Sequence, residues 1–254
     1  IPIVITAFGT TSKAIDTYTH LDEVISPHFP ENTIIWTYSS RVVGKELQKA
    51  GSQETLHPEQ ALEKLNDQGV KQAVVQSLHL FPGTEFHNLH KTVHSSKLQC
   101  SMGMPLFTSV NDYSEISELL RPLIPLQENT AILILGHGTH HPIWTAYYSL
   151  EKILRRQYGR HIFVGTVEPY PDSSHLVDDI ANQGFKKVLI IPFFLVAGFH
   201  FRRDITGENG TSWKAQFESK NIEVTSIDHG IGLLQGIEQI IIRHIKEACE
   251  RLQF

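Results

Sequence analysis

The stretch Ala131-Ile132-Leu133-Ile134-Leu135-Gly136-His137-Gly138-Thr139 decides the fold class. Five consecutive apolar residues, too few for a buried helix and lacking polar alternation, read as a strand covered on both faces. The glycines flanking His137 then let the chain turn tightly at the strand's end. Pro142 to Gln157, which follows, has helical spacing. Working outward, the same step recurs. Toward the C-terminus come strand His161 to Val167, helix Ser173 to Ala181, strand Lys187 to Leu195, a strand near Ile222 to Ile227 and a closing helix near Leu234 to Arg251. Toward the N-terminus, strand Ile3 to Ala7 precedes Ile15, Tyr18, Leu21 and Ile25 at helical spacing behind a Thr11/Ser12 cap. Strand Ile34 to Tyr38 and helix Pro58 to Asn66 follow, the helix with Pro at its start and Gly69 just past its end. Next come strand Val70 to Leu80 and helices Thr84 to Ser96 and Asp112 to Leu123, around the short apolar piece Met102 to Phe107. Apolar strands separated by helices predict doubly wound α/β with parallel sheets flanked by helices.

The two halves look like copies. Asp67-Gln68-Gly69 falls on Asn182-Gln183-Gly184, and at that offset Gly83 falls on Gly198 and Glu85 on His200. Near the start of each half a larger offset pairs Phe8-Gly9-Thr10 with His137-Gly138-Thr139 and Thr37 with Thr166. An insertion around Gly44 to His57 absorbs the change of offset. The expectation is two similar lobes, 1–127 and 128–254, with a cleft between them.

Composition narrows the function. The 254 residues are 41% hydrophobic and 19% charged, too apolar for disorder. With 22 Lys+Arg against 27 Asp+Glu and no long basic run, nucleic acid is not an expected partner. The longest apolar run, Val188 to Ala197, is strand length and broken by Pro192, so no membrane span is expected. Cys100 and Cys249 match no paired metal or redox pattern. The chain opens on Ile1-Pro2-Ile3 without Met, so a leader removed or a segment left out upstream is expected. Histidine is the outlier: 15 residues, against 2 Cys and 2 Met, point toward imidazole chemistry with protons or borderline metals.

Glu85, His137 and His200 each lie just beyond the C-terminal end of an expected strand, where open α/β sheets place ligands. Taken singly each has an ordinary reading: a turn histidine, a helix-start residue, a first-turn acid favoured by the helix dipole. Together, two imidazoles and a carboxylate suit Co²⁺, Ni²⁺, Fe²⁺ or Zn²⁺ with positions left open for a reacting partner.

The run Val75-Gln76-Ser77-Leu78-His79-Leu80-Phe81-Pro82-Gly83-Thr84-Glu85-Phe86 resembles the anaerobic cobalt chelatases, the sirohydrochlorin cobaltochelatases of the CbiK type. Ala7-Phe8-Gly9-Thr10, Leu135-Gly136-His137-Gly138-Thr139 with His141, Val164-Gly165-Thr166-Val167-Glu168, Leu195-Val196-Ala197-Gly198 with His200, and Ser212-Trp213-Lys214 resemble that family in order. The resemblance implies a bilobal chelatase fold that inserts Co²⁺ into sirohydrochlorin without ATP. It implies His137, His200 and Glu85 as metal ligands, with His137 and Glu85 catalytic. Fe²⁺, Ni²⁺ or Zn²⁺ are substitute metals, and the nearest variants are an iron chelatase making sirohaem and a non-catalytic metal or tetrapyrrole carrier. A carboxylate-rich, apolar-faced tetrapyrrole needs cations and aromatic walls. The candidates are Phe8, Gly9, Thr10, Phe81, Phe86, Phe199, Arg202, Arg203, Trp213 and Lys214. Many relatives carry an acid where this chain has Phe199, which bears on metal strength or choice. His87, His90 and His94 share a helical face, and His94 is the candidate for haem or a surface metal at a subunit contact, which admits a homo-oligomer. Glu168 is a candidate to touch substrate or orient a ligand. The implied pathway favours the cytoplasm, with the periplasm as the alternative.

Overall fold

A computed structural model describes residues 1–10, 16–40, 56–125, 129–198, 201–208 and 210–252, those at 201 and 202 in backbone only. The elements are β1 (Ile3–Ala7), α1 (Asp16–Ile25), β2 (Ile34–Tyr38), α2 (Pro58–Asp67), β3 (Gln72–Ser77), α3 (Thr84–His94), β4 (Gln99–Gly103), α4 (Val110–Leu120), β5 (Thr130–Gly136), α5 (Thr145–Tyr158), β6 (Ile162–Thr166), α6 (Leu176–Asn182), β7 (Lys187–Phe193), α7 (Trp213–Ser219), β8 (Glu223–Ser226) and α8 (Ile237–Leu252). They build two four-stranded, wholly parallel sheets with the same winding: β2-β1-β3-β4 and β6-β5-β7-β8.

In the first unit, successive residues of β1 and β3 point to opposite faces. Val4, Ala73 and Val75 meet Ala61, Leu62 and Leu65 of α2 and Leu89 and Val93 of α3. On the other face α8 packs on β3, β4 and α1. In the second unit, Leu133, Leu135, Val188 and Ile190 meet Leu176, Val177 and Ile180 of α6 and Trp213 and Phe217 of α7. Ile132 and Ile134 are as deeply buried, and α5 packs on β6. Each fully buried Ile or Leu contributes roughly 1.5–3 kcal/mol, which is why these runs are uninterrupted.

Packing divides the chain elsewhere than the lobes 1–127 and 128–254 read from the repeat. The compact units are Ile1–Asp112 with Gln235–Phe254, and Tyr113–Leu234. The cause is α8, which is docked on the first sheet by a buried network. Asp112 Oδ1 accepts from Arg243 Nη2 at 2.8 Å and meets His244 Nε2 at 3.1 Å, while His244 Nδ1 meets the Met104 carbonyl at 3.1 Å. Burial alone would raise the Asp112 carboxyl, but hydrogen bonds from His244, Arg243 and the Thr108 and Ser109 amides outweigh it and hold the group well below the usual carboxylate range.

The repeat is visible atom by atom. Gln68 and Gln183 close their helices with φ/ψ of −77°/0° and −76°/−1°, followed by Gly69 at φ +82° and Gly184 at φ +86°. Gly83 N–H donates to Phe81 O at 2.8 Å, as Gly198 N–H does to Val196 O at 3.0 Å. One pairing needs correction. Ile3 sits beside Ile34 but Ile132 beside Ile162, so the register puts Tyr38, not Thr37, at the address of Thr166. The compensating insertion, 44–57, lies outside the described residues except for its last two. β4 is a strand where only the apolar piece Met102 to Phe107 was expected. It is an edge strand with Gln99 exposed and Cys100 and Met102 half-buried, so it carries no continuous apolar run.

Candidate functional site

His137 stands at the end of β5 because two glycines allow it. A Cβ on Gly136 would lie 2.4 Å from the Tyr147 ring, and Gly138 has φ +88° with a would-be Cβ 2.8 Å from Tyr170 O. The buried Tyr147 hydroxyl accepts the Gly138 N–H at 3.0 Å, and burial pushes its pKa up to about 12, so it stays protonated. The His137 ring is exposed. Its Nδ1 lies 3.1 Å from the Gly138 carbonyl, which can only accept. The neutral ring is thereby set in the tautomer whose lone pair is on Nε2, the nitrogen a metal takes. Phe194, beyond β7, stands edge-on to the imidazole at 6.3 Å between centroids. On the other neighbouring strand, Glu168 N–H donates to His137 O at 2.8 Å, which sets a half-buried carboxylate one strand away from the imidazole.

The same addresses in the first unit carry other chemistry. Phe8 replaces His137 and is 52% exposed, so it presents an apolar face. Gly9 has φ +101°, and its N–H donates to the buried Tyr18 hydroxyl at 3.2 Å. Ser40 replaces Glu168, its N–H donating to Phe8 O at 3.1 Å. His79 replaces Phe194; its ring lies 2.9 Å from Ser77 Oγ and 3.3 Å from Ser39 Oγ, and burial lowers its pKa to about 4, keeping it neutral. Neither tyrosine was singled out in the sequence as a site residue, although both stand nine residues after the glycine they serve.

Glu85 is half-buried in the first turn of α3 in the first unit, whereas His137 belongs to the second. His200 and Phe199 lie outside the described residues, as does the Arg202 side chain. Among the described residues no three His, Cys, Asp or Glu side chains cluster as a metal site. Two expected walls are corrected: Trp213 is 8% exposed within the α7 core of the second unit, and Phe86 is 7% exposed, because apolar helix faces bury them. Phe81, 8% exposed against Phe107, and Thr10, 9% exposed, are likewise buried. Lys214 pairs with Glu218 at 3.8 Å, and Arg203 with Asp204 at 2.9 Å. His90 and His94 are exposed on α3 with rings stacked at 6.2 Å. His141 Nδ1 accepts the Ile143 N–H at 3.2 Å, a turn cap. The sheet end also holds a histidine the sequence reading passed over: His229, after β8, whose Nδ1 lies 3.1 Å from Gly230 O. The shared His-Gly dipeptide was the available signal.

Solved structures share this architecture. SirB from Bacillus subtilis with Fe³⁺ aligns over 99% of this chain and 96% of its own at a TM-score of 0.67 and 13% identity. CbiX, described as the terminal enzyme for biosynthesis of sirohaem in denitrifying bacteria, aligns over 98% of this chain and 99% of its own at a TM-score of 0.61 and 15% identity. The fold is thus that of the chelatases. Residues 2–250 match the cobalt chelatase (CbiK) family, and the chain belongs to it. The sirohydrochlorin cobaltochelatase of Salmonella typhimurium is 30% identical over 86% of this chain and 84% of its own length. The sirohydrochlorin cobaltochelatase CbiKC of Nitratidesulfovibrio vulgaris is 26% identical over 98% of this chain and 91% of its own.

Proposed function

We propose that this chain inserts Co²⁺ into sirohydrochlorin without ATP. The observation that carries the reading is the end of β5 in a member of the cobalt chelatase family. There an exposed imidazole, tautomer set by Gly138 O, has Glu168 one strand away. The named activity of the Salmonella and Nitratidesulfovibrio relatives supports the choice of metal and macrocycle.

Insertion requires two pyrrole N–H protons to leave as a divalent ion enters, and the ion must shed its own ligands in step. His137 and His200 hold the ion loosely; Glu85 coordinates it or accepts a pyrrole proton, and Glu168 is a second carboxylate suited to either task. A closed four-ligand site would be the wrong design, since tight binding of the cargo adds no turnover. Fe²⁺, Ni²⁺ and Zn²⁺ suit the same donor set and serve as alternative cargo. Phe8 offers an apolar face to the macrocycle.

The test is to incubate purified protein with sirohydrochlorin and Co²⁺ or Fe²⁺ and follow the macrocycle's absorbance against a no-protein control. Acceleration with Co²⁺ is expected. Acceleration with Fe²⁺ alone would make it an iron chelatase, and none with either metal would leave a carrier.

A further inference from the structure

We propose a second ligand site in the second unit, along the helix that follows the histidine turn and the loop beyond it: a cavity that takes a compact polyanion, a polyphosphate or polycarboxylate. The cavity measures ≈ 680 Å³ and is lined by Tyr148, Glu151, Lys152, Arg155, Arg156, Arg160 and Gln183. That volume is within the range of small-molecule sites.

The lining separates into a fixed floor and an uncompensated rim. Arg155 is immobilised: Nη1 pairs with Glu151 Oε1 at 2.9 Å, Nε donates to Ile162 O at 2.7 Å, and the guanidinium lies 4.9 Å from the Phe163 ring centre. Glu151 also accepts the Val164 N–H at 3.0 Å, so its charge is engaged and does not neutralise the rim. Lys152, Arg156 and Arg160 carry no ion pair among the described residues. Lys152 and Arg156 stand one turn apart on α5, where like charges repel. Gly159, at φ +113°, reverses the chain after α5 and so returns Arg160 to the same cavity.

This concentration of positive charge stands against a chain of net charge −5. The fold does not require it either: at the repeat position of Lys152 the matching helix α1 carries Glu23. Two guanidinium forks and an ammonium around one hollow, with an exposed Tyr148 ring as a wall, suit a ligand bearing at least two anionic groups.

The test is calorimetric titration of the whole chain with sodium pyrophosphate and, separately, with citrate, at low and high salt. One saturable, salt-sensitive site is expected for at least one anion. Tighter pyrophosphate makes the ligand class phosphate, tighter citrate makes it carboxylate. Affinity should fall about tenfold or more in K152Q/R156Q/R160Q and in part in Arg160→Gln alone, stay unchanged in K186Q/K187Q, and leave cobalt insertion untouched. No saturable binding of either anion, or equal binding by all variants, would overturn the proposal.

Discussion

At the sheet ends the two units present the same backbone and opposite chemistry. Over β1, β2 and β3 stand Phe8, Ser40 and His79; over β5, β6 and β7 stand His137, Glu168 and Phe194. The amides of Ser40 and Glu168 bond to the same carbonyl position, and Tyr18 and Tyr147 brace the same glycine turn. Imidazole and phenyl have traded places. In the first unit the imidazole lies beside two serine hydroxyls and is held neutral by burial, and the exposed position is apolar. In the second the imidazole is exposed and the phenyl of Phe194 stands edge-on to it. The same strand framework thus carries an exposed phenyl in one unit and an exposed imidazole in the other.

The two units differ most in function at the exposed position. His137→Ala should cut cobalt insertion on the order of 1,000-fold, whereas Phe8→Ala should change it only a few fold. The reciprocal exchange F8H/H137F should fold and stay inactive, measured by the same absorbance assay. The next largest effect concerns α8, which only the first unit recruits. Asp112→Ala leaves Arg243 and His244 without their shared carboxylate and should destabilise the chain by about 3–5 kcal/mol in urea.

His79 gives a pH signature that Phe194 lacks. Its folded pKa of about 4 lies below the ordinary 6.5, so the unfolded chain binds the proton more readily. The stability it contributes is present above 6.5 and is lost as pH falls toward 4. The loss amounts to roughly 2–3 kcal/mol, trimmed by solvent at a ring that is only partly enclosed. His79→Gln should flatten that slope in urea titrations across the window. The smallest effect belongs to the brace: Tyr147→Phe strands the buried Gly138 N–H and should cost about 1–2 kcal/mol, with Tyr18→Phe costing less because the Gly9 bond is longer and half-exposed.

Much of this scaffold was legible in the amino-acid sequence, because a strand buried on both faces is almost wholly apolar: Ala131 to Leu135 is so throughout, and Ile3 to Ala7 departs only at the buried Thr6, whose hydroxyl meets Thr37 Oγ1 at 2.8 Å. β4 was not, since an edge strand tolerates Gln99 and Ser101. The docking of α8 on the first sheet was hidden because Asp112 and His244 meet only through the tertiary fold. At the site, the glycines around His137 carried a readable demand for a tight turn. Trp213 misled, because its composition suits a ligand wall and a helix core equally and only packing decides. The one-residue slip at Thr37 arose because the first unit spends one more residue than the second between its first two strands.

The proposed division between the two imidazoles, in which His137 of the second unit holds the metal and His79 of the first does not, is put to the test by titrating Co²⁺ into the protein. The visible absorption of imidazole-ligated cobalt reports binding in wild type, His137→Ala and His79→Gln. A weak saturable spectrum is expected in wild type, retained in His79→Gln and lost in His137→Ala. A spectrum that survives His137→Ala unchanged, or disappears with His79→Gln, would contradict that division.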